Sequence, residues 1–592
     1  MHKITLRTII PSEEVHSTVE LALLEEKTSM FYKQVYEYQT HSVLLLEKNT
    51  FTNTSRWIFH CSRNLLAHLH VIVDLESPYT FHCEREFCII STPQVRLLLS
   101  NYITCYSESD IGPYGIVSKS ASIIRGERGL ETLISPNHSD HCEWTLLVTS
   151  TSIEPHSVRG EWINGRLLKG YYEDGLIWAL IREGRVSRTI LPYYIKEGQA
   201  YYWPRGDVLR SALHEWLQSG NFVAWHIYSE IIDQILRQQS IEGGLLIPYI
   251  TAARWRNIYG SPQQLHIFES LYRAYQLTGI NMLKEKALRA LECYIKQPPV
   301  CLGYYEVNSN GGVFFRWGSY HYLSTDPEKR ENLYVLNTHL MGVVGLLEGW
   351  ILEKCEWCRD YALKGIRGLK SLIRKFSRSD GYLYYSLHSK RLRGLLEDKL
   401  HSRFLGYHTL SSKLLLRAAN FLSDEELAHY GEQGCKYSFN RYFNGNKGIE
   451  AELLKCLVEL YRWKRTIGIL SIIKSIVELR RPSILVLGYS LDELDDLSVI
   501  PPGFMLTSSD LLTLLLSARG SELEYYVYAY SPVKLIIEER ALPCGKDVIP
   551  VEVRGGILYE NKEVQAEQVE NGFKLEIPPE KPLILHVLVE VE

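Results

Sequence analysis

The sequence predicts a multidomain α+β protein in three parts: a β-rich N-terminal domain over residues 1–200, a central α/α toroid of helical hairpins over 201–481, and a β-sandwich-like C-terminal domain over 482–592. Three observations predict it. At 592 residues the chain is long enough for roughly three or four domains of about 150 residues. Its apolar pattern changes period twice, from alternation to a helical stripe near residue 205 and back to alternation after Pro482. Between those changes the helical segments are joined by short links containing Gly, Pro or Asn, which is the connectivity of antiparallel helix pairs.

In the first part, Ser42–Leu46, His70–Asp74, Trp144–Val148 and Leu176–Ile181 are short alternating or β-branched runs separated by polar and Gly-containing turns. Residues 158–185 predict a strand meander with Asn164-Gly165 and Asp174-Gly175 as hairpin turns. In the middle part, Leu265, Phe268, Leu271, Tyr272 and Tyr275 fall on one stripe of a helix over 264–278, and Leu336, Leu340, Val343, Leu347 and Trp350 do the same in the next long segment. Further helices are predicted at 208–218, 222–239, 281–296, 356–376, 403–421, 424–438, 448–463 and 465–480. Two β-like interruptions at 243–260 and 301–323, rich in Tyr, Trp, Gly and Arg, stand where a toroid carries its binding loops. The last part predicts strands at Ser483–Leu487, Tyr525–Tyr530, Pro532–Glu538, Lys574–Ile577 and Ile584–Val589, with one helix at 507–518.

Composition removes several function classes. Lys and Arg (65) nearly balance Asp and Glu (69), giving a formal charge of −4, so there is no long basic surface for phosphates and nucleic acid is not expected as a partner. No GxGxxG, P-loop, HExxH or GxSxG occurs in a fitting strand–turn–helix context. Met1–Arg7 contain no apolar signal region, and nowhere does an apolar run reach the roughly 18 residues of a membrane span, so a cytoplasmic location without a transmembrane segment is expected. The 12 Cys are too sparse for a disulfide scaffold, and the one CxxC, Cys355 to Cys358, lies in a helical pattern without a second pair, an arrangement that predicts neither zinc nor a redox centre. No cofactor and no metal are expected. Tyr is over-used, 39 against 16 Phe and 12 Trp; its apolar face and polar tip suit sugar rings as well as half-buried surfaces.

Four Tyr-centred segments occupy the helical region. Gly243-Gly244-Leu245-Leu246-Ile247-Pro248-Tyr249 is followed by Tyr259-Gly260-Ser261-Pro262-Gln263-Gln264. Arg316-Trp317-Gly318-Ser319-Tyr320-His321-Tyr322 is followed by Tyr334-Val335-Leu336-Asn337-Thr338-His339. Then come Gly381-Tyr382-Leu383-Tyr384-Tyr385-Ser386-Leu387 and Gly406-Tyr407-His408-Thr409-Leu410. With Leu271-Tyr272-Arg273-Ala274-Tyr275-Gln276-Leu277-Thr278 and Gly345-Leu346 in order between them, the stretch 243–420 resembles the C-terminal catalytic domain of the D-glucuronyl C5-epimerases, as a divergent, prokaryotic-type member. Those enzymes convert glucuronate to iduronate in heparosan-type chains.

The resemblance implies a cofactor-independent isomerase acting on a uronate-containing glycan or polysaccharide, with a homodimer left open as its oligomeric form. Inversion at C5 needs a base on one ring face, an acid on the other and stabilisation of the enolate-like carboxylate between the two steps. A Tyr, with its ordinary pKa of about 10, serves as base only where cationic or hydrogen-bonding neighbours favour the phenolate. Carried over by resemblance, Tyr322, Tyr385 and Tyr407 are the acid/base candidates. Arg316, His408, Asn337 and Gln264 would meet the carboxylate or neighbouring hydroxyls, and Trp317, Tyr320 and Tyr259 complete the substrate-binding set. The sequence departs from the family at three of these places: His321 stands where the family has a catalytic Glu, Ser386 where it has Asp, and Ser411 where it has a second His. His321, with an ordinary pKa near 6.5, is a candidate proton carrier. Taken singly, a Tyr on a helix or strand is a packing residue, and His266 and His339 read as partly buried polar groups with partners; the order of the segments is what raises them.

Three other readings compete. A polysaccharide lyase would share the C5 proton abstraction but expel the C4 substituent. A glycoside hydrolase on the same toroid needs two facing carboxyls about 5–9.5 Å apart, for which Glu269, Glu306, Asp326 and Glu348 are the candidates. A non-catalytic glycan-binding protein would keep Trp317 and the Tyr-rich groove without acid/base pairs.

Overall fold

A computed structural model describes the strands between Ile4 and Ser150, and residues 239–318, 333–388, 401–479 and 497–592 apart from short gaps. The 158–185 meander, the helices at 208–218 and 222–239 and the strand at Ser483–Leu487 lie outside the described residues, apart from isolated positions. The chain divides into two compact units, Met1–Arg237 and Gln238–Glu592. The first is antiparallel sheet. Leu69–Leu75 is flanked by Ile4–Ile10 and Gly129–Ile134 in a five-stranded sheet. His141–Ser150 centres a nine-stranded one, pairing Thr54–Ser62 on one side and Val95–Ser100 on the other.

The second unit opens with a hairpin, β1 (Leu246–Thr251) and β2 (Arg254–Tyr259). It is followed by α1 (Ser261–Thr278) and α2 (Asn281–Glu292). A second hairpin, β3 (Tyr304–Glu306) with β4 (Val313–Phe315), lies within the interruption expected at 301–323, of which residues 319–323 are outside the described residues. Then come β5 (Leu333–Val335), α3 (Leu336–Glu353), α4 (Glu356–Phe376), β6 (Ser386–His388), α5 (His401–Leu422), α6 (Glu425–Phe443), α7 (Glu450–Lys464) and α8 (Ile467–Leu479). Consecutive helices pair, and α1, α3, α5 and α7 neighbour one another in that order, so these helices form an inner layer backed by their partners. Among the described residues no helix is long and apolar enough to cross a membrane. α3 is apolar nearly all round because it is covered on both sides, its residues from Leu336 to Gly349 all buried.

Three of the four inner helices, α1, α3 and α5, are each fastened to an earlier segment of the chain by one polar side chain. The Leu245 N–H donates to Gln264 Oε1 (3.0 Å), the Phe315 N–H to His339 Nδ1 across 24 residues (3.0 Å), and the Leu383 N–H to His408 Nδ1 across 25 residues (2.9 Å). A buried N–H with no strand partner would be costly, and these three side chains remove that cost at the same structural place in successive hairpins.

The C-terminal part holds β7 (Gly503–Leu506), β8 (Leu511–Arg519), β9 (Glu522–Ala529), β10 (Val533–Glu538), β11 (Arg540–Ala541), β12 (Asp547–Ile557), β13 (Lys562–Val564), β14 (Glu567–Val569), β15 (Gly572–Ile577) and β16 (Pro582–Val591). They form antiparallel sheets in the orders β7-β10-β15-β14 and β8-β9-β16-β12-β11, with β13 added on β12. The helix expected at 507–518 is corrected to strand β8. Leu512, Leu514 and Leu516 pack on α7 and α8 while Leu511 and Leu515 are buried on the opposite face. A strand covered on both faces loses its alternation and reads as a plain apolar run. The cysteines also differ from expectation: Cys293 is bonded to Cys301 and Cys355 to Cys358, the latter pair closing the first turn of α4.

Candidate active site

The candidate groups gather at the N-terminal ends of α3 and α5. β5 and β6 pair with Tyr334 opposite Leu387 and Val335 opposite Ser386. The chain then turns into α3, whose Leu336 N–H donates to the Tyr385 carbonyl at 2.9 Å. That bond fixes Tyr385 at the positive end of the α3 dipole. Its half-buried ring lies 5.0 Å from the ring of Tyr407 on α5, tilted by 44°. Tyr407 is 44% exposed, unusual for a large ring in a helix packed on three neighbours. Two of the three acid/base candidates therefore meet; Tyr322, His321 and Tyr320 lie outside the described residues.

Beside α3 stands an aromatic wall built on Tyr334, the first residue of the segment that leads into that helix. Tyr334 is buried edge-on to Tyr305 (5.8 Å, 82°) and to Phe314 (5.0 Å, 77°). The Arg316 guanidinium lies 4.1 Å over the Tyr305 ring, and its Nε donates to the Tyr304 carbonyl at 3.4 Å. Burial lowers the pKa of Arg316, yet from an ordinary value above 12 it stays charged. Trp317 is half-buried, and its carbonyl accepts the Ser261 N–H (3.0 Å), while Ser261 Oγ donates to the Thr338 carbonyl (2.7 Å), tying α1 to α3 at this end.

Asn337, in the first turn of α3, is 3% exposed, and its Oδ1 has no hydrogen-bond partner. An unpaired buried acceptor costs about 1–3 kcal/mol, a cost that a ligand hydroxyl or amide would remove.

The other candidates are placed differently. Gln264 is fully buried; its Oε1 accepts from Leu245 and its Nε2 donates to the carbonyls of Leu245 (3.2 Å) and Gly260 (3.1 Å). His408 accepts at Nδ1 from Leu383 and donates from Nε2 to the Gly434 carbonyl at 2.9 Å, which fixes it as the neutral ring. Burial lowers its pKa to about 4, and that of His339 to about 3. Both side chains hold backbone in place. Tyr259 is buried against Gly244, where an added Cβ would come within 2.6 Å of its ring. Ser411 turns its hydroxyl back to the Tyr407 carbonyl (2.9 Å). Of the hydrolase carboxyls, Glu348 is buried in an ion pair with Arg417 near the far end of α3, roughly 16 Å along the helix from Asn337. Glu269 contacts His266 (3.4 Å), Glu306 is exposed on β3, and Asp326 lies outside the described residues.

The helical hairpins that carry the tyrosine pair fall largely within one family match. Residues 255–434 match the family described as D-glucuronyl C5-epimerase C-terminus. No curated protein matches the chain by sequence. Among solved structures it is similar to a D-mannose isomerase (12% identity, 52% of this chain and 86% of the other, TM-score 0.36). It is also similar to the cellobiose 2-epimerase of Bacillus thermoamylovorans B4167 (9%, 46% and 74%, 0.34), and to the unsaturated glucuronyl hydrolase of Bacillus sp. GL1 (10%, 46% and 72%, 0.31).

Proposed function

We propose that this protein is a uronate epimerase that inverts C5 of D-glucuronate residues in a glycan or polysaccharide. The observation that carries the reading is the contact of Tyr385 with Tyr407 at the α3 rim, inside the segment that matches the epimerase family. One tyrosine, as phenolate, takes the C5 proton; the C–H bond breaks and its electron pair passes into the carboxylate. The other tyrosine's O–H then delivers a proton to C5 from the opposite face, and exchange with water restores both. Tyr322 is the third member of this set, with His321 as proton carrier.

The N-terminal end of α3 favours the negative charge that develops on the carboxylate, and Arg316 is the fixed cation of the neighbourhood. Asn337 Oδ1 accepts from a sugar hydroxyl. Gln264 and His408 act one step away, by fixing the segments that carry the reacting rings.

The test is incubation of uronate-containing polysaccharides in deuterated water with NMR at C5. Deuterium at C5 in an intact chain is the expected result. Unsaturated chain ends would make the protein a lyase, and no exchange in any uronate polymer would remove the epimerase reading. Tyr407→Phe should abolish exchange while circular dichroism and melting stay as in the wild type; undiminished exchange would take Tyr407 out of the chemistry.

A further inference from the structure

At the other end of the inner helices lies a cavity of about 300 Å³, between the C-terminal ends of α3, α5 and α7 and the last residues of β8. That volume is at the lower end of the range for small-molecule sites. Its wall is charged, although it is cut into protein interior. Glu348 (3% exposed) pairs with Arg417 (7% exposed) at 2.5 Å. Glu459, 4% exposed, takes Arg462 at 3.0 Å and the Asn420 amide at 2.8 Å. Arg462 continues to the carbonyls of Leu515 and Leu516 on β8, at 3.3 and 2.9 Å. Pairs of this kind are expensive to desolvate and gain little over apolar packing. A purely structural network would be expected to close on itself, whereas this one surrounds an open hollow.

Among the described residues the wall holds more guanidinium groups than carboxylates. Arg465 is held by Glu524 at 2.5 Å and by Ser517 at 2.8 Å. Arg519, at the end of β8, is exposed and pairs with no carboxylate among the described residues. The half-buried ring of Phe421 lines the same hollow with the Arg417 guanidinium 5.8 Å away. An apolar ring face, planar polar groups with fixed orientation and one guanidinium with no carboxylate partner among the described residues form the set that holds a sugar carrying a carboxylate.

We propose that this cavity is a second ligand site, taking the carboxylate of a hexuronate unit at Arg519 and its ring against Phe421; the choice of a uronate rests on the epimerase reading. From Tyr407 to Arg417 along α5 is roughly 15 Å, so the site is separate from the tyrosine rim.

The experiment is titration calorimetry of the full chain with free D-glucuronate, with D-glucose and inorganic phosphate as comparison ligands. It is done on the wild type, Arg519→Glu and Tyr407→Phe, and on Arg519→Gln as a milder variant. The expected result is glucuronate binding that persists in Tyr407→Phe, falls at least about tenfold (1.4 kcal/mol) in Arg519→Glu and exceeds glucose binding. Binding indifferent to both Arg519 variants, or no saturable binding, overturns the proposal. Phosphate binding as tight as glucuronate would make the cavity a plain anion site and also overturns it. Arg519-dependent binding without any C5 exchange would leave this site standing and remove only the epimerase reading.

Discussion

Asn337 combines near-complete burial with an unused acceptor at the first turn of α3, and the two properties make opposite demands. For stability alone the position prefers an apolar group of similar size. Asn337→Leu should therefore leave the urea midpoint unchanged or raise it, by up to about 1 kcal/mol, while C5 exchange falls at least about tenfold. A fall in stability together with full exchange would make Asn337 a structural residue. The tyrosine pair was legible in the sequence because Tyr385 and Tyr407 sit in segments whose order is informative. Tyr305 was not, since nothing in a sequence distinguishes a ring that walls a site from one that fills a core. Gln264 and His408 read as binding groups for the same reason: a polar residue on a buried helix stripe has no visible partner until the N–H of Leu245 or Leu383 is placed beside it.

Among the elements, the helices were readable from their stripes and their ends fell within a few residues of expectation, as α4 at Glu356–Phe376 shows. β8 failed because burial on both faces erases the period. The helix-to-helix spacing also rests on features no stripe reveals. At Gly434 on α6 an added Cβ would stand 2.2 Å from Ser412 Oγ on α5, beside the carbonyl that His408 uses. Gly434→Ala should therefore push the two helices apart and cost about 1–3 kcal/mol, measured as a lower midpoint in urea. An unchanged midpoint would show that Ser412 can turn away freely. The disulfides belong to this scale as well: Cys293 and Cys301 bracket the turn between α2 and β3, a pairing that only the folded path of the chain brings about.

For the molecule as a whole, burying neutral histidines ties stability to pH. His339 and His408 have folded pKa values near 3 and 4 against about 6.5 unfolded, so below about pH 6.5 the unfolded chain binds more protons than the folded one. Stability should be full above pH 7 and fall as pH drops from 6.5 towards 4, with each ring contributing a slope of up to about 1.4 kcal/mol per pH unit. Urea denaturation at pH 7 and pH 5 reads this directly. His408→Gln should flatten the difference by about one ring's share; an equal difference in the variant would assign the loss to other groups.

The histidine fastening recurs in two hairpins of the helical region. His339 catches a β-segment N–H with its ring facing Gly365 on the partner helix, and His408 catches the Leu383 N–H and adds a hydrogen bond to the Gly434 carbonyl. Two hairpins with little visible sequence likeness thus share one joint, a neutral imidazole that accepts a backbone N–H at Nδ1. Replacing either ring by a group that cannot accept would leave a buried backbone N–H unpaired, so each joint admits fewer side chains than the apolar positions around it, where volume alone decides.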